Sequence, residues 1–428
     1  MTSVPATSPE TGRADFPALD TLRLVGATAI VVTHTAFWAG TYTSAGTVGS
    51  LLARLDVGVA IFFVLSGFLL SREWFVRAAQ GRPDPAIGRY YWRRVLRIMP
   101  VYLVTAVLAL SLITENRDRD AGDWLTTLAL LDIYVNPVLP AGLTQMWSLA
   151  TEVSFYLVLP FLMAVLIGRR LRPGRVVFGL IALATLSIAW HLGLVDLVRG
   201  DGSQAPREWL PSYLIWFGLG IGLALVQVMH SRDQLPGRWT RRLEAAASSP
   251  GALWLAAAGL LLVASTPLAG PTLLVEPTGA QALTKNLLYA GVGALLVFSG
   301  VFTPRESPWA RCMGHPLGRH LGHTSYALFC IHLPVMHLIR WATGFELFNG
   351  GFLQLFVTTM AVSLIAAELL YFGVEKPFMR LRNLGRSVDP AASRATSAMA
   401  APSDNNTSRL GQLQAPAHPD DEPQGRRK

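Results

Sequence analysis

Ten runs of predominantly apolar residues recur along the chain, near residues 21–39, 56–71, 98–114, 146–167, 176–195, 210–229, 251–268, 286–303, 322–342 and 352–373. A run of about 20 apolar residues is long enough to cross a bilayer as a helix, and a helix satisfies its own backbone groups in lipid. The pattern therefore predicts an all-α integral membrane protein, a bundle of about ten transmembrane helices. Residues 125–143 fit an extra half-helix or a re-entrant piece.

The polar stretches between the runs set the orientation. Arg72, Arg77, Arg82, Arg89, Arg93, Arg94 and Arg97 lie between runs two and three, and Arg169, Arg170, Arg172 and Arg175 after run four. Arg232, Arg238, Arg241 and Arg242 follow run six, Arg305, Arg311 and Arg319 run eight, and Lys376, Arg380, Arg382 and Arg386 run ten. The alternate loops hold only Arg54, then Arg117 and Arg119, then Arg199 and Arg207, then Lys285. Short cytoplasmic loops carry the excess of basic residues, so an even number of spans puts both termini in the cytoplasm.

Composition agrees with the pattern. Of 428 residues 51% are hydrophobic and 15% charged, too apolar for a soluble protein of this size. The net charge of +9 does not point to nucleic acid, because topology accounts for the basic loops. Cys312 and Cys330 fall in an expected inner loop and an expected span, which makes a disulfide or metal framework a poor reading. Residues 1–15 lack the basic flank and cleavage site of a removable signal, so the first run is expected to stay as an anchor. Residues 1–15 and 387–428 are expected to be disordered, the second as a cytoplasmic tail. The glycosylation pattern at Asn406 lies in that tail and is discounted.

Ionisable groups inside membrane-length runs are costly and mark function by default. Arg23 and His34 share the first run, eleven residues apart. That spacing is close to three helical turns, so both lie on one face, roughly 16 Å apart along the axis. Arg23 is expected at the membrane entry and His34 about mid-depth. Arg94 and Arg97 share a face at the start of the third run, level with Arg23. Helix N-termini favour anions, and the planar guanidinium suits phosphate. Positive-inside topology and anionic headgroups also call for arginines here, so both readings stand for these three. Glu152, His332, Glu368 and Glu375 are further intramembrane ionisable groups, the last two seven apart and hence on one helical face. A lone buried histidine is more often structural than catalytic, although imidazole is also the usual general base. Several such groups in one bundle suggest a shared polar interior.

These residues carry a resemblance. The run Leu19-Asp20-Thr21-Leu22-Arg23 through His34 is similar to the opening motif of the acyltransferase 3 family of integral membrane acyltransferases. In the family's order follow Gly58-Val59-Ala60-Ile61-Phe62-Phe63-Val64-Leu65-Ser66-Gly67-Phe68, Arg94-x-x-Arg97 before Pro100, and Trp147-Ser148-Leu149 to Glu152 to Phe155-Tyr156. Ser325-Tyr326 to His332 to Pro334, and Glu375-x-Pro377, complete the set. Each motif alone is weak; six in register, over residues 16–384, are specific. Thr21-Leu22-Arg23-Leu24-Val25 departs from the usual glycine-bearing form, and Phe329-Cys330 stands where Tyr-Leu is common. Neither departure touches a charged position. Many members also carry an extracytoplasmic hydrolase-like domain after a further span, which is not expected here.

The resemblance implies transfer of an acyl group, often acetyl, from acyl-CoA as co-substrate to a hydroxyl, commonly on a sugar. On that basis His34 is the expected general base, oriented by Glu152, with Arg23, Arg94 and Arg97 on the coenzyme phosphates. Ser325, Tyr326 and His332 are expected to line the acceptor pocket or to stabilise the oxyanion. No metal and no permanently bound cofactor are implied. The expected setting is multi-pass in the inner (plasma) membrane among its lipids, with no nucleic acid. The acceptor is left open among carbohydrate, glycolipid and a glycosylated small molecule. The rival is a proton-coupled transporter or flippase of a sugar or lipid-linked intermediate, which also uses buried carboxylates and histidines. Against it, no pair of broken helices recurs in two halves. A non-enzymatic scaffold gives no reason for the buried ionisable groups.

Overall fold

The computed structural model describes residues 16–136, 138–199, 205–272 and 275–383. The segments expected to be disordered, 1–15 and 387–428, lie outside the described residues, as does Asn406. Each apolar run falls in a long helix: α1 (Pro17–Trp38), α2 (Gly58–Ala79), α3 (Ile87–Leu112), α4 (Met146–Ile167), α5 (Pro173–Ala189), α6 (Leu214–His230), α7 (Pro250–Ala264), α8 (Gly279–Phe302), α9 (Pro316–Thr343) and α10 (Phe352–Leu370). No strand occurs among the described residues. Prolines open α1, α5, α7 and α9, where the missing N–H has no intrahelical partner anyway.

Seven helical stretches among the described residues are long and apolar enough to cross a membrane. An eighth is the bent pair Gly237–Ala247 and Pro250–Ala264, which meets at 79°. The difference from ten lies in α7, which has 15 residues, and in α1 and α9. Those two carry ionisable side chains within their length, from Asp20, Arg23 and His34 to Arg319, His323, His332 and Arg340. Lipid is a poor solvent for such groups. The two helices pack along each other instead, and α1 also packs on α2, α8 and α10. At their crossing, a Cβ on Gly322 would collide with the carbonyl oxygen of Asp20, so only glycine permits this approach. The core beside them is aromatic: Phe217 of α6 stacks on Phe63 of α2 at 4.5 Å and on Phe155 of α4 at 3.9 Å.

Between α3 and α4 the chain forms two short helices, Ala121–Leu128 and Asp132–Val135, rather than a full-length one. Asn116 ties this piece back, donating to the carbonyls of Ala109 and Ala141 and accepting from the Ala141 N–H. Gln145 then donates to the carbonyl of Cys330, so α4 begins against the interior of α9. Past α10 a π turn at Tyr371–Glu375 leads into Lys376–Arg380. The beginning of α3 meets this segment through Arg97 at Glu375 and Trp92 at Leu381, and His320 of α9 lies beside Tyr371 and Phe372, at an arginine-rich end of the bundle. At the other end Arg54 is buried and donates to the carbonyls of Ala264 (2.9 Å) and Gly270 (2.5 Å). It holds the turn after α7 without a carboxylate hydrogen bond of its own.

Candidate active site

Two polar clusters occupy the interior, one at each end of α1. In the first, Asp20 and Arg23 are three residues apart and meet at 2.7 Å. The other oxygen of Asp20 faces Nε2 of His323 at 3.4 Å and Nε of Arg319 at 3.8 Å on α9. Glu152 of α4 accepts hydrogen bonds on one oxygen from Ser66 of α2 and from Tyr156, the latter at 2.6 Å. Arg23 and Arg94 are both within electrostatic reach of Glu152, and Arg97 within reach of Arg23. The guanidinium of Arg94 lies 6.0 Å from the centre of the Tyr156 ring. Among the described residues Arg94 has no hydrogen bond or ion pair, and its Nε is sealed. Arg97 meets the fully buried Glu375 at 2.7 Å. Arg23 and Arg94 thus face Glu152 while Arg97 is paired with Glu375, so three arginines and three carboxylates, Asp20, Glu152 and Glu375, meet at this end of α1.

Glu368 and Glu375 do not share a neighbourhood, although seven residues separate them. The π turn between them breaks the α-helical register. Glu368 meets Nε2 of His320 at 2.8 Å, while Glu375 turns to α3.

The second cluster is a histidine pair. His34 lies on α1 four residues before its end at Trp38, nearer the far end of the helix than its expected mid-depth. Its Nδ1 is 3.0 Å from Nε2 of His332, and the rings stack with centroids 5.1 Å apart. His332 is completely buried, and its Nδ1 is 2.7 Å from the carbonyl oxygen of Phe329, one turn earlier on α9.

This chain of contacts assigns the protons. A carbonyl only accepts, so Nδ1 of His332 carries its hydrogen, and Nε2 of the neutral ring is left as an acceptor. Nδ1 of His34 must then donate to it, which leaves the lone pair of His34 on Nε2. Among the described residues that nitrogen makes no hydrogen bond. The ring is half-buried. A held imidazole with an open lone pair is the arrangement of a general base.

The partner that orients His34 is thus His332 and not Glu152, whose hydrogen bonds go to Ser66 and Tyr156. Of the residues expected around the acceptor, only His332 touches His34. Ser325 donates to the carbonyl of Gly322 and Tyr326 to that of Ile98, across to α3. Asp20, Ser66, Tyr156 and Phe329 stand in the motifs quoted from the sequence but were given no role there. Partly open side chains continue between the clusters: Ser66 and Phe62, one turn apart on α2, and Tyr326 on α9.

Known proteins share this organisation in sequence. Over 382 residues the chain is 26% identical to the putative peptidoglycan O-acetyltransferase YrhL of Bacillus subtilis, covering 85% of this chain and 54% of that protein. It is 23% identical over 383 residues to the peptidoglycan O-acetyltransferase OatA of Listeria monocytogenes, covering 86% and 56%. Acyltransferase MdmB of Streptomyces mycarofaciens is 26% identical over 414 residues, covering 89% of this chain and 96% of its own. The chain spans about half the length of the two peptidoglycan O-acetyltransferases and nearly all of MdmB. No solved structure matches. The model of a family described as an acyltransferase domain matches residues 16–368, and the chain is a multi-pass membrane protein that belongs to the acyltransferase 3 family.

Proposed function

We propose that this protein is a membrane O-acyltransferase that moves an acyl group, acetyl in the first instance, from acyl-CoA to a hydroxyl of a carbohydrate or glycosylated acceptor. One observation carries the reading: the relay from the Phe329 carbonyl through His332 to His34, which fixes the lone pair on Nε2 of His34. The bacterial relatives named as O-acetyltransferases support the choice of acetyl and of a sugar hydroxyl. The positive-inside pattern supports an orientation with the arginine-rich end and both termini in the cytoplasm, and the inner membrane is the setting of this reading.

The coenzyme phosphates bind at Arg23, Arg94 and Arg97, of which Arg94 makes no ion pair among the described residues. From there the thin pantetheine arm follows the partly open line past Ser66 and Phe62, bringing the thioester to His34. Nε2 of His34 takes the proton from the acceptor hydroxyl as its oxygen attacks the thioester carbonyl. The imidazolium returns that proton to the departing sulfur as the C–S bond breaks, giving the ester and free coenzyme A. His332 acts as a positioning residue, because its Nε2 holds the His34 ring in one tautomer throughout.

The test is transfer from radiolabelled acetyl-CoA to a saccharide acceptor by the full chain in lipid nanodiscs. His34→Ala is expected to lower kcat by about 10²- to 10⁴-fold while acetyl-CoA still binds. Near wild-type transfer by His34→Ala would overturn the assignment of the base.

A further inference from the structure

Beyond the histidine pair lies a group of side chains that the reaction as described does not use. A run of side-chain contacts links α9, α2, the start of α6 and α4 close to the histidine pair. Phe329 of α9 meets Phe62 of α2 with ring centres 6.2 Å apart, and the neighbouring Phe63 meets Tyr213 at 5.5 Å. Tyr213 meets Trp147 of α4 at 5.4 Å, and Gln145, two residues before Trp147, returns to α9 through Cys330. Asp56 is within electrostatic reach of both Tyr213 and His34.

The polar atoms along this run are unused. The Tyr213 hydroxyl and the Trp147 indole N–H have no hydrogen-bond partner among the described residues, and neither is enclosed. Glu208 precedes α6 in a short turn, and its backbone carbonyl accepts from Thr151, one helical turn beyond Trp147. One oxygen of its carboxyl is sealed without a partner, and the other is open. Burial with no neutralising neighbour pushes this carboxyl up to about 7. A carboxyl oxygen buried without a partner is costly, and with an open indole N–H and phenol on neighbouring side chains it calls for a ligand with complementary hydroxyls.

We infer that Trp147, Tyr213 and Glu208 form the acceptor subsite, and that it takes a pyranose ring. The apolar C–H face of a sugar packs on the Trp147 and Tyr213 rings, which are amphipathic surfaces with polar tips. Its hydroxyls reach Glu208, the indole N–H and the phenol, which fix the ring so that one hydroxyl meets Nε2 of His34. Donor and acceptor then approach His34 from opposite sides, the arginines on one and the aromatic residues on the other. This rests on the acyltransferase reading for its chemistry, but binding of a sugar does not.

The experiment compares the wild-type full chain with Glu208→Ala, Tyr213→Phe and Trp147→Phe in nanodiscs, using methyl β-N-acetylglucosaminide as the probe. Binding is read by saturation-transfer NMR without acetyl-CoA, and transfer by steady-state kinetics with it. The expected result is a rise of about tenfold in the acceptor dissociation constant and KM for Glu208→Ala, the equivalent of one lost hydrogen bond to a charged group. Tyr213→Phe raises both by a smaller factor, and KM for acetyl-CoA stays within about twofold in each. Trp147→Phe keeps a ring face and removes the N–H, so its effect stays below that of Glu208→Ala. Acceptor affinity within about twofold of wild type in both Glu208→Ala and Tyr213→Phe would overturn the subsite, as would absence of glycoside binding by the wild type. Binding that responds to these variants, without any acetyl transfer, would leave the subsite standing and remove the acyltransferase reading instead.

Discussion

At His34 the chemistry depends on where one hydrogen sits. The carbonyl of Phe329 fixes the tautomer of His332, and His332 in turn fixes that of His34, so a backbone atom on α9 decides which nitrogen on α1 is basic. Replacing His332 with Leu leaves Nδ1 of His34 without its acceptor. The expected outcome is a fall in kcat on the order of 10²-fold with KM for acetyl-CoA unchanged. His332→Gln, which can still accept through its amide oxygen, should recover part of that loss and alter the pH profile. A residue that only filled space would show neither recovery nor a changed profile. For the wild type, acidification protonates Nε2 of His34 and removes the lone pair, so activity falls on the acid side. Arg94, which is poised beside Tyr156 without an ion pair, belongs to the other cluster. Arg94→Ala is expected to raise KM for acetyl-CoA and leave the acceptor KM alone; an unchanged donor KM would remove Arg94 from the phosphate site.

The helices set how far apart these groups stand. α1 and α9 approach closely because Gly322 presents no side chain to the Asp20 carbonyl, and that same packing brings His34 to His332 ten residues further along α9. Gly322→Val should therefore separate the pair: transfer is lost while the protein still inserts, checked by activity against the yield of folded protein in detergent. The π turn at Tyr371–Glu375 has a comparable effect on the last helix. It directs Glu375, with no exposed surface, onto Arg97. Removing one partner of a buried ion pair leaves an uncompensated charge, at a cost of about 3–5 kcal/mol, whereas replacing both is often near neutral. Arg97→Met alone should lower thermal stability strongly, and Arg97→Met with Glu375→Leu should restore most of it. If the double variant melts as low as the single one, Arg97 stabilises the fold in some way other than this pair.

For the whole molecule, the proposed orientation makes a prediction that needs no enzyme assay. Cys312 is exposed, at the arginine-rich end just before α9, and Cys330 is buried within α9. A membrane-impermeant maleimide should label Cys312 in inside-out vesicles and not in intact spheroplasts, with no label on a Cys312→Ser variant. Labelling from outside would invert the protein and with it the side from which the coenzyme enters. The arrangement of two polar clusters along one helix otherwise suits a membrane enzyme whose substrates arrive from different directions. Under the proposed function the arginines would gather the charged substrate, and the aromatic residues with an unpaired carboxyl would take a neutral, hydroxylated one.

The helical architecture was legible in the chain because hydrophobic runs and basic loops are local properties, and each of the ten runs lies in a helix. The charged residues worth attention were legible for the same reason: Arg23, Arg94, Arg97, Glu152, His34 and His332 stand out against apolar neighbours. Their partners were not. Glu152 goes to Ser66 and Tyr156, Glu375 to Arg97, and His34 to His332, which is 298 positions away. Pairing depends on which helix faces which, and that is decided by features with no strong local signal, such as Gly322 at a crossing or a π turn before Lys376. Sequence thus determined the elements and the chemical groups they carry. Tertiary packing alone decided which groups meet, because a hydrogen bond needs two helices brought to about 3 Å by contacts spread over their whole length.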